Sequence, residues 1–128
     1  MKYAYIRVST VKQDYERQEY AIRGCEVPKG NIYSETISGT KKAVSRPEFE
    51  KLMSRLEKGD TVYFESMSRM SRSVLDMVET TQKIVKDKGA TVIFLKENLT
   101  LSIHMDSTSS LMFNIFASFA QFERDLIS

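Results

Sequence analysis

The stretch Tyr3-Ala-Tyr-Ile-Arg-Val8, followed by the small polar pair Ser9-Thr10, decides the fold. It is rich in residues that favour β-structure and it ends where short polar side chains begin, which is typical of a strand that runs into a loop. Strand-like and helix-like segments then alternate along the chain. The predicted elements are a helix at 12–23, a strand at 31–34, a helix that begins at a Ser45–Glu48 capping box, a strand at 61–65, a helix at 74–88 and a strand at 91–95.

This alternation predicts an α/β fold with a mostly parallel sheet of four to five strands that is covered by helices. We expect residues 1–106 to form this α/β domain, and residues 107–128 to form the start of a long C-terminal amphipathic helix. Because the carboxyl ends of parallel strands meet at one edge of a sheet, we expect functional side chains at that edge.

Length and composition indicate one folded domain without a membrane span. The chain has 128 residues, of which 41% are hydrophobic and 28% charged, a balance that excludes a disordered or membrane-embedded class. The net charge of +2 gives no overall basic field, so a nucleic-acid partner must be argued from individual arginines. The single cysteine, Cys25, excludes an internal disulfide and a cysteine-rich zinc site, and it fits a cytoplasmic location.

The C-terminal segment carries more apolar side chains than one small domain covers. One helix face holds Leu111, Ile115, Phe119, Phe122 and Leu126, and beside it lie Met112, Phe116 and Ala120. Two structures fit this wide arc: a helix whose second face packs on another subunit, and a helix that is fully buried in the core. Because no helix-ending signal precedes Ser128, we expect the helix to be truncated here and further domains to follow.

Two groups of polar side chains follow the first and third predicted strands. Arg7 and Ser9 are two residues apart on an extended chain, so both side chains project from one face. Arg69 and Arg72 are three residues apart, which places them on one side of a helical turn. Since loops that follow neighbouring parallel strands converge, we expect the three arginines and Ser9 to face a common pocket.

Three guanidinium groups around one hydroxyl repel each other unless an anion lies between them. A phosphodiester suits them, because guanidinium donors match phosphate oxygens two at a time. The only histidine, His104, lies far along the chain, so a Ser-His-Asp triad is not expected. Catalysis would depend on positioning and on charge stabilisation of a phosphoryl transition state. Each motif taken alone is more often structural, and only the ordered set favours a phosphate site.

Four motifs in this order resemble the serine recombinase family of resolvases, DNA invertases and phage-type integrases. They are Tyr5-Ile-Arg-Val-Ser-Thr10, the Ser38-Gly39 loop with Arg46, Ser68-Arg-Met-Ser-Arg72, and Ala120-Gln-Phe-Glu-Arg124. The resemblance implies site-specific recombination of double-stranded DNA, in which Ser9 attacks a phosphodiester, forms a 5′-phosphoserine link and rejoins the strands after exchange. It implies no metal and no other cofactor. It also implies a homodimer that assembles into a tetramer on DNA.

The resemblance assigns roles to individual residues. It implies active-site roles for Tyr5, Arg7, Ser9, Gln18, Arg46, Arg69 and Arg72. It implies that Glu123 and Arg124 support the active site and the dimer from the long helix, on which Phe119 and Phe122 face the expected partner. Ser68 and Glu35 depart from the family, because many members have Asp at both positions. The change at Ser68 removes a proton-transfer carboxylate and leaves Glu35 as a candidate substitute.

Members of this family read their DNA site with a module that follows the long helix, and we do not expect that module within these residues. The 128 residues alone are expected to bind DNA weakly, through phosphate contacts that fade with salt, and to have little or no activity. A non-catalytic oligomerisation or regulatory domain of the same fold is the alternative, although the arginine cluster argues against it. A small phosphate-binding α/β enzyme fits less well, because no glycine-rich phosphate loop is present.

Overall fold

A five-stranded sheet forms the centre of the computed structural model, which describes residues 1–8, 12–36, 46–71 and 73–127. Within these residues the strands are β1 (Lys2–Val8), β2 (Ile32–Thr36), β3 (Thr61–Phe64), β4 (Thr91–Phe94) and β5 (Leu99–Leu101). Their order across the sheet is β2-β1-β3-β4-β5. The first four strands are parallel and β5 pairs antiparallel with β4, so the predicted α/β fold with a mostly parallel sheet is confirmed.

Helices connect the strands and cover both faces of the sheet. In the described part of the chain they are α1 (Lys12–Arg23), α2 (Pro47–Arg55), α3 (Met67–Met70), α4 (Val74–Gln82) and α5 (Ser107–Ile127). A 3-10 turn covers Lys29–Asn31. The helix predicted at 74–88 winds more widely over its second part, where Lys83–Asp87 form a π-helical turn that continues α4.

Strand β1 divides its side chains between two cores. Ala4, Ile6 and Val8 pack with Ile22 of α1, whereas Tyr3 and Tyr5 belong to the larger core on the opposite face. Alternation along an extended strand produces this division, and every residue of β1 after Lys2 is buried because helices cover both faces. The strand is therefore the rigid centre from which the end of the sheet is positioned.

The strand order places a topological switch point at β1. The chain passes from β1 to β2 on one side and then returns to β3 on the other side, so the connections leave β1 in opposite directions. In open α/β sheets the crevice outside the carboxyl ends of strands at such a point is the usual ligand site. The switch point therefore predicts a functional site at the edge formed by the ends of β1 and β3.

The start of α2 donates a hydrogen bond to a distant carboxylate. The residue that precedes the helix is Arg46, whose side chain makes no capping hydrogen bond, while Pro47 occupies the first turn. Ser45 lies outside the described residues. The amide of Phe49, in the first turn, donates instead to Oε2 of Glu35 at 3.1 Å. A carboxylate from β2 therefore caps the Phe49 amide of this helix, and the predicted capping box of Ser45 and Glu48 stays a prediction.

Helix α5 packs on α4 and β5 with one face only. Phe113, Phe116 and Ala117 pack against the large core, and Ala120 is fully buried in it. The face that holds Leu111, Ile115, Phe119, Phe122 and Leu126 is exposed. The interpretation of a fully buried core helix was therefore wrong for this chain. In the described ranges no helix is both long enough and apolar enough to cross a membrane.

We predict that Phe64→Ala strongly destabilises the fold. Phe64 is fully buried, and its ring lies 6.0 Å from that of Tyr5, 6.2 Å from that of Phe49 and 5.5 Å from that of Phe94. Removing a core phenylalanine costs about 3–5 kcal/mol, because burial is lost and a cavity remains. Urea unfolding measures the change. Tyr20→Ala, at a position that is 77% exposed, is the control, and an equal loss in both variants would contradict this core.

Candidate active site

The side chain of Arg7 is buried at the carboxyl end of β1, with only 3% of the residue exposed. Strand β3 ends at Phe64, which pairs with Tyr5, so β1 extends three residues further, to Val8, and carries Arg7 beyond the end of β3. At that level the Nη2 group of Arg7 donates a hydrogen bond to the backbone oxygen of Ser68. The guanidinium is therefore fixed to the segment that follows β3.

Gln18 of α1 holds the backbone at the same strand end. Its side chain is fully buried, and Nε2 donates to the backbone oxygen of Arg7 at 3.0 Å. The same nitrogen lies 3.4 Å from the backbone oxygen of Asp14, one turn earlier in α1. The start of α1 is thus tied to the end of β1 by a buried amide.

Arg69 approaches the end of β1 from the short helix α3. Its Nη1 group donates to the backbone oxygen of Arg7 at 3.5 Å. Its side chain is largely buried, with 17% exposed. The Arg69 side chain therefore reaches the backbone of Arg7 at the switch point, which agrees with the expected convergence of these two strand ends.

Carboxylates compensate the charge of Arg69. Oδ1 of Asp14 accepts hydrogen bonds from Nη2 of Arg69 at 2.6 Å and from Nη2 of Arg17 at 2.7 Å. Glu65 lies between the same two arginines, 3.5 Å from Nε of Arg69 and 3.6 Å from Nη1 of Arg17. Burial raises the pKa of Asp14, but the hydrogen bond from Arg17 and the charge of Arg69 outweigh burial, so this pKa lies below its ordinary value. Asp14 is therefore an anion at neutral pH.

A second buried group connects β1, β2 and α2. The hydroxyl of Tyr5 donates to Oε2 of Glu35 at 2.7 Å, and Nη1 of Arg46 donates to the Tyr5 oxygen at 3.4 Å. Tyr5 and Arg46 are fully buried, and Glu35 is 9% exposed. Since Glu35 pairs in register with Arg7, this group lies directly beside the end of β1.

Burial raises the pKa of Tyr5 well above its ordinary value of 10.0. The hydrogen bond from Arg46 lowers this pKa in part, and the hydrogen bond to Glu35 raises it again. The hydroxyl is therefore neutral at physiological pH and acts as a hydrogen-bond donor to Glu35. It is not poised to accept a proton.

Two serines form a hydrogen-bonded chain that leads from Glu65 to the start of α3. Oγ of Ser66 donates to Oε1 of Glu65 at 3.1 Å and lies 3.0 Å from Oγ of Ser68. Ser66 is buried and Ser68 is exposed. Within the described ranges, no three His, Cys, Asp or Glu side chains gather in a way that could hold a metal ion.

The comparison with protein families gives a match along almost the whole chain. The family described as "Resolvase, N terminal domain" matches residues 2–128. The chain belongs to this family of serine recombinases.

Similar proteins place this serine recombinase domain among longer chains. A resolvase of Clostridium perfringens strain 13 is 36% identical over 128 residues, which are all of this chain and 66% of that protein. The transposon Tn501 resolvase of Pseudomonas aeruginosa is 36% identical over 123 residues, which are 96% of this chain and 62% of that protein. The chain therefore spans slightly less than two thirds of these curated relatives.

The fold of the serine recombinase domain is also seen in a solved structure. The crystal structure of the N-terminal catalytic domain of TP901-1 integrase superposes with a TM-score of 0.78 at 27% identity. The match covers 98% of both chains. The sheet and the long C-terminal helix are therefore those of a serine recombinase catalytic domain.

The structure of this serine recombinase domain brings most of the predicted site residues together. The described members of the group around the ends of β1, β2 and β3 are Tyr5, Arg7, Gln18, Glu35, Arg46, Ser68 and Arg69. Ser9 and Arg72 lie outside the described residues, as does the Ser38-Gly39 loop. Their roles stay predictions.

The predicted residues of the long helix lie elsewhere in the serine recombinase domain. Nη2 of Arg124 lies 3.8 Å from Oε2 of Glu79 on α4, and Nη1 donates to Gln121 at 3.2 Å. Glu123 is half-buried, and Phe119 and Phe122 are about 60% exposed. Within the chain, Arg124 therefore connects α5 to α4, and its proposed support of the active site is untested.

Sequence reasoning missed the residues that compensate Arg69 in this recombinase domain. In the sequence, Asp14 and Arg17 have the spacing of an ordinary ion pair three residues apart on a helix. Glu65 has the position of a residue at the end of a strand. One signal was available, because Asp14 lies in the first turn of α1 and Glu65 follows β3 at the same edge of the sheet as Arg69. Carboxylates at the same edge as arginines favour ion pairs within the protein as well as substrate binding.

We predict that Tyr5→Phe makes the free energy of unfolding less dependent on pH in alkaline solution. The folded recombinase domain keeps the Tyr5 proton while the unfolded chain releases it near pH 10, so the free energy of unfolding falls as pH rises above this value. Tyr5→Phe removes that contribution, so the free energy of unfolding of this variant should fall less steeply from pH 9 to pH 11. Urea unfolding at each pH tests this. Tyr20→Phe, at an exposed position, should keep the wild-type slope, and equal slopes for Tyr5→Phe and wild type would refute the assignment.

Proposed function

We propose that this chain is the catalytic part of a site-specific recombinase that breaks and rejoins DNA with Ser9 as the nucleophile. The observation that carries the proposal is the meeting of two largely buried arginines, Arg7 and Arg69, at the switch point of the sheet. Ser9 follows Arg7 by two residues in the sequence. Buried arginine donors at this edge suit a phosphodiester, because they are charged at any working pH and match phosphate oxygens.

The reaction is a phosphoryl transfer in which the number of ester bonds is conserved. The Ser9 oxygen forms a bond to phosphorus, the bond from phosphorus to the 3′ oxygen breaks, and the hydroxyl proton is released as the 3′ oxygen gains one. The product is a 5′-phosphoserine link with a free 3′ hydroxyl. Attack of a 3′ hydroxyl on that link reverses the step after strand exchange. No cofactor is part of the scheme, because the phosphoserine link retains the energy of the broken ester.

Arg7, Arg69 and Arg72 supply charge stabilisation in this proposal. Negative charge spreads over the equatorial oxygens in a phosphoryl transition state, and prearranged donors stabilise it without reorganising. Gln18 fixes the backbone of Arg7, and the Tyr5–Glu35–Arg46 group fixes the neighbouring strand end. These contacts support a positioning role for Gln18, Tyr5, Glu35 and Arg46.

The contacts of Glu35 support a positioning role. Its Oε2 accepts from both Tyr5 and the amide of Phe49, so this oxygen ties β1 to the start of α2. Ser68, at the position where many members of the family have Asp, offers only a hydroxyl. We infer that the chemistry depends on charge stabilisation more than on a carboxylate base.

We further propose that double-stranded DNA is the substrate and that residues 1–106 form the catalytic unit of a cytoplasmic protein. Residues 107–128 belong to an oligomerisation helix in this proposal. The curated relatives are longer than the matched region, which leaves room in such proteins for a separate DNA-reading domain. Site specificity is then a property of that domain, and the catalytic unit binds phosphates with strong dependence on salt.

The exposed face of α5 supports a homodimer. Leu111, Ile115, Phe119, Phe122 and Leu126 form a continuous apolar stripe on the outer side of the helix. An exposed stripe of this length is typical of a protein interface, and burial of aromatic side chains at its centre supplies much of the binding energy. We propose that two copies pack through this stripe and that two dimers form a tetramer on DNA.

Ser9→Ala should abolish the covalent intermediate. The natural full-length protein is incubated with a nicked suicide duplex, and the covalent protein–DNA band is measured after denaturation. Arg69→Ala should slow formation of the band by about 10²- to 10³-fold, because a transition-state donor is lost.

Ser54→Ala, a hydroxyl removed from the exposed side of α2, should leave the band at its wild-type level. A band that persists in Ser9→Ala would exclude Ser9 as the nucleophile. Absence of a band in the wild type would favour the non-catalytic oligomerisation domain.

Phe122→Glu should dissociate the dimer. A charge at the centre of the stripe is expected to raise the dimer dissociation constant by about 30-fold or more, the effect of losing roughly 2 kcal/mol. Analytical ultracentrifugation measures the mass over a range of concentrations. Tyr20→Glu, at an exposed position on α1, should retain the wild-type mass, and a dimer that is equally stable in both variants would contradict an interface on α5.

A further inference from the structure

Four alternating charges form a closed ring beside the proposed phosphate site. Asp14 joins Arg69 and Arg17 at 2.6 and 2.7 Å, and Glu65 joins the same two arginines at 3.5 and 3.6 Å. The side chains of Arg69, Asp14 and Glu65 are 17%, 18% and 12% exposed, whereas that of Arg17 is 59% exposed. The ring thus has three shielded members, and Arg17 closes it from the solvent side.

The two carboxylates contact one particular edge of the Arg69 guanidinium. Nε and Nη2 lie along the same edge of this planar group, and Glu65 and Asp14 approach these two atoms. Nη1 lies on the other side and donates to the backbone oxygen of Arg7. Arginine has five N–H groups, and the hydrogen bonds to Asp14 and to the backbone of Arg7 use one on Nη2 and one on Nη1. Glu65 lies beside Nε as an ion pair without a hydrogen bond. Each Nη therefore keeps a second N–H, and guanidinium donors of this kind can bind two phosphate oxygens.

We propose that Asp14 and Glu65 are positioning residues. They hold the Nε–Nη2 edge of the Arg69 guanidinium and direct its remaining N–H groups to the end of β1. The inference rests on the proposed function, in which the DNA phosphate lies at this strand end. Arg69 extends from a four-residue helix, which on its own gives the long side chain little support. Two carboxylates from α1 and from the end of β3 supply that support, because each contacts a different nitrogen.

Competition with phosphate is an opposite role for the same two carboxylates, and it predicts a different effect on binding and on rate. If Asp14 and Glu65 competed with phosphate for Arg69, their removal would strengthen binding and speed the reaction. The positioning role requires the reverse, because Arg69 would lose its orientation. The low pKa of Asp14 agrees with either role and does not separate them.

The test compares Asp14→Asn and Glu65→Gln with wild type in the natural full-length protein. The measurements are the single-turnover rate of the covalent protein–DNA band on a suicide duplex and the DNA concentration at half-maximal rate. We expect the rate at saturating DNA to fall by about 100-fold in Asp14→Asn, since misplacing a catalytic group by about 1 Å has an effect of this size. The half-saturating DNA concentration should change by no more than about threefold, because most DNA contacts are elsewhere.

Glu19→Gln is the matched control, because Glu19 is on the same helix and its ion pair, among the described residues, is with the exposed Arg23. It removes the same charge and should leave the rate unchanged. Arg17→Gln should keep the rate within about threefold of wild type, because both carboxylates still contact Arg69. Circular dichroism and thermal unfolding verify that each variant is folded, and if Asp14→Asn does not fold, Glu65→Gln carries the same test.

A double-mutant cycle separates positioning of Arg69 from a general structural effect. In an Arg69→Ala background, Asp14→Asn should reduce the rate by less than about twofold further, because residues that act through one another are not additive. A full additional loss in that background, an unchanged rate in the single variant, or a faster rate would each overturn the positioning role. These outcomes leave the proposed function intact provided that the wild type forms a Ser9-dependent band. A wild type that forms no such band overturns both proposals.

Discussion

The structure depends on the burial of arginine side chains at the carboxyl ends of β1 and β3. A buried guanidinium is costly unless acceptors and opposite charges surround it. Arg7 donates to a backbone oxygen of α3, and Arg69 has Asp14 and Glu65 beside it. The contacts join β1, β3, α1 and α3, so the same interactions that satisfy the charges also fix the end of the sheet.

The pattern of β1 explains why these charges lie at this edge. Along the strand, alternate side chains enter the core beneath α1 or the larger core on the other face. The strand then extends past the end of β3, where Arg7 meets the start of α3 while Val8 stays in the core beneath α1. A strand that is fully buried over most of its length thus ends in a polar crevice. In open α/β sheets, a switch in strand order at such an edge is the usual place for a ligand.

The parts of the molecule that follow from local pattern were predictable from the sequence. The helix predicted at 12–23 is confirmed at Lys12–Arg23, and the approach of Arg7 to Arg69 followed from the expectation that parallel strand ends converge. Strand β5 was not predicted. It has only three residues, Leu99–Leu101, which are too few to show a strand pattern, and it is defined by its pairing with β4.

Contacts between distant residues were not predictable from local pattern. Glu35 caps α2 from 14 residues away, and Asp14 pairs with Arg69 from 55 residues away. A capping box of Ser45 and Glu48 is a local pattern, whereas the carboxylate that accepts from the Phe49 amide comes from another element and has no local signal. Charge compensation of this kind depends on three-dimensional packing, which no spacing rule records.

The most direct test of this account is a crystal structure of the Ser9→Ala variant of the full-length protein bound to duplex DNA. The account predicts that one backbone phosphate accepts hydrogen bonds from the guanidinium groups of Arg7 and Arg69 at the carboxyl ends of β1 and β3. It also predicts that Asp14 still contacts Arg69 in that complex. A DNA backbone bound to another surface, such as the lysines Lys83 and Lys86, with no phosphate within reach of Arg7 or Arg69, would contradict it.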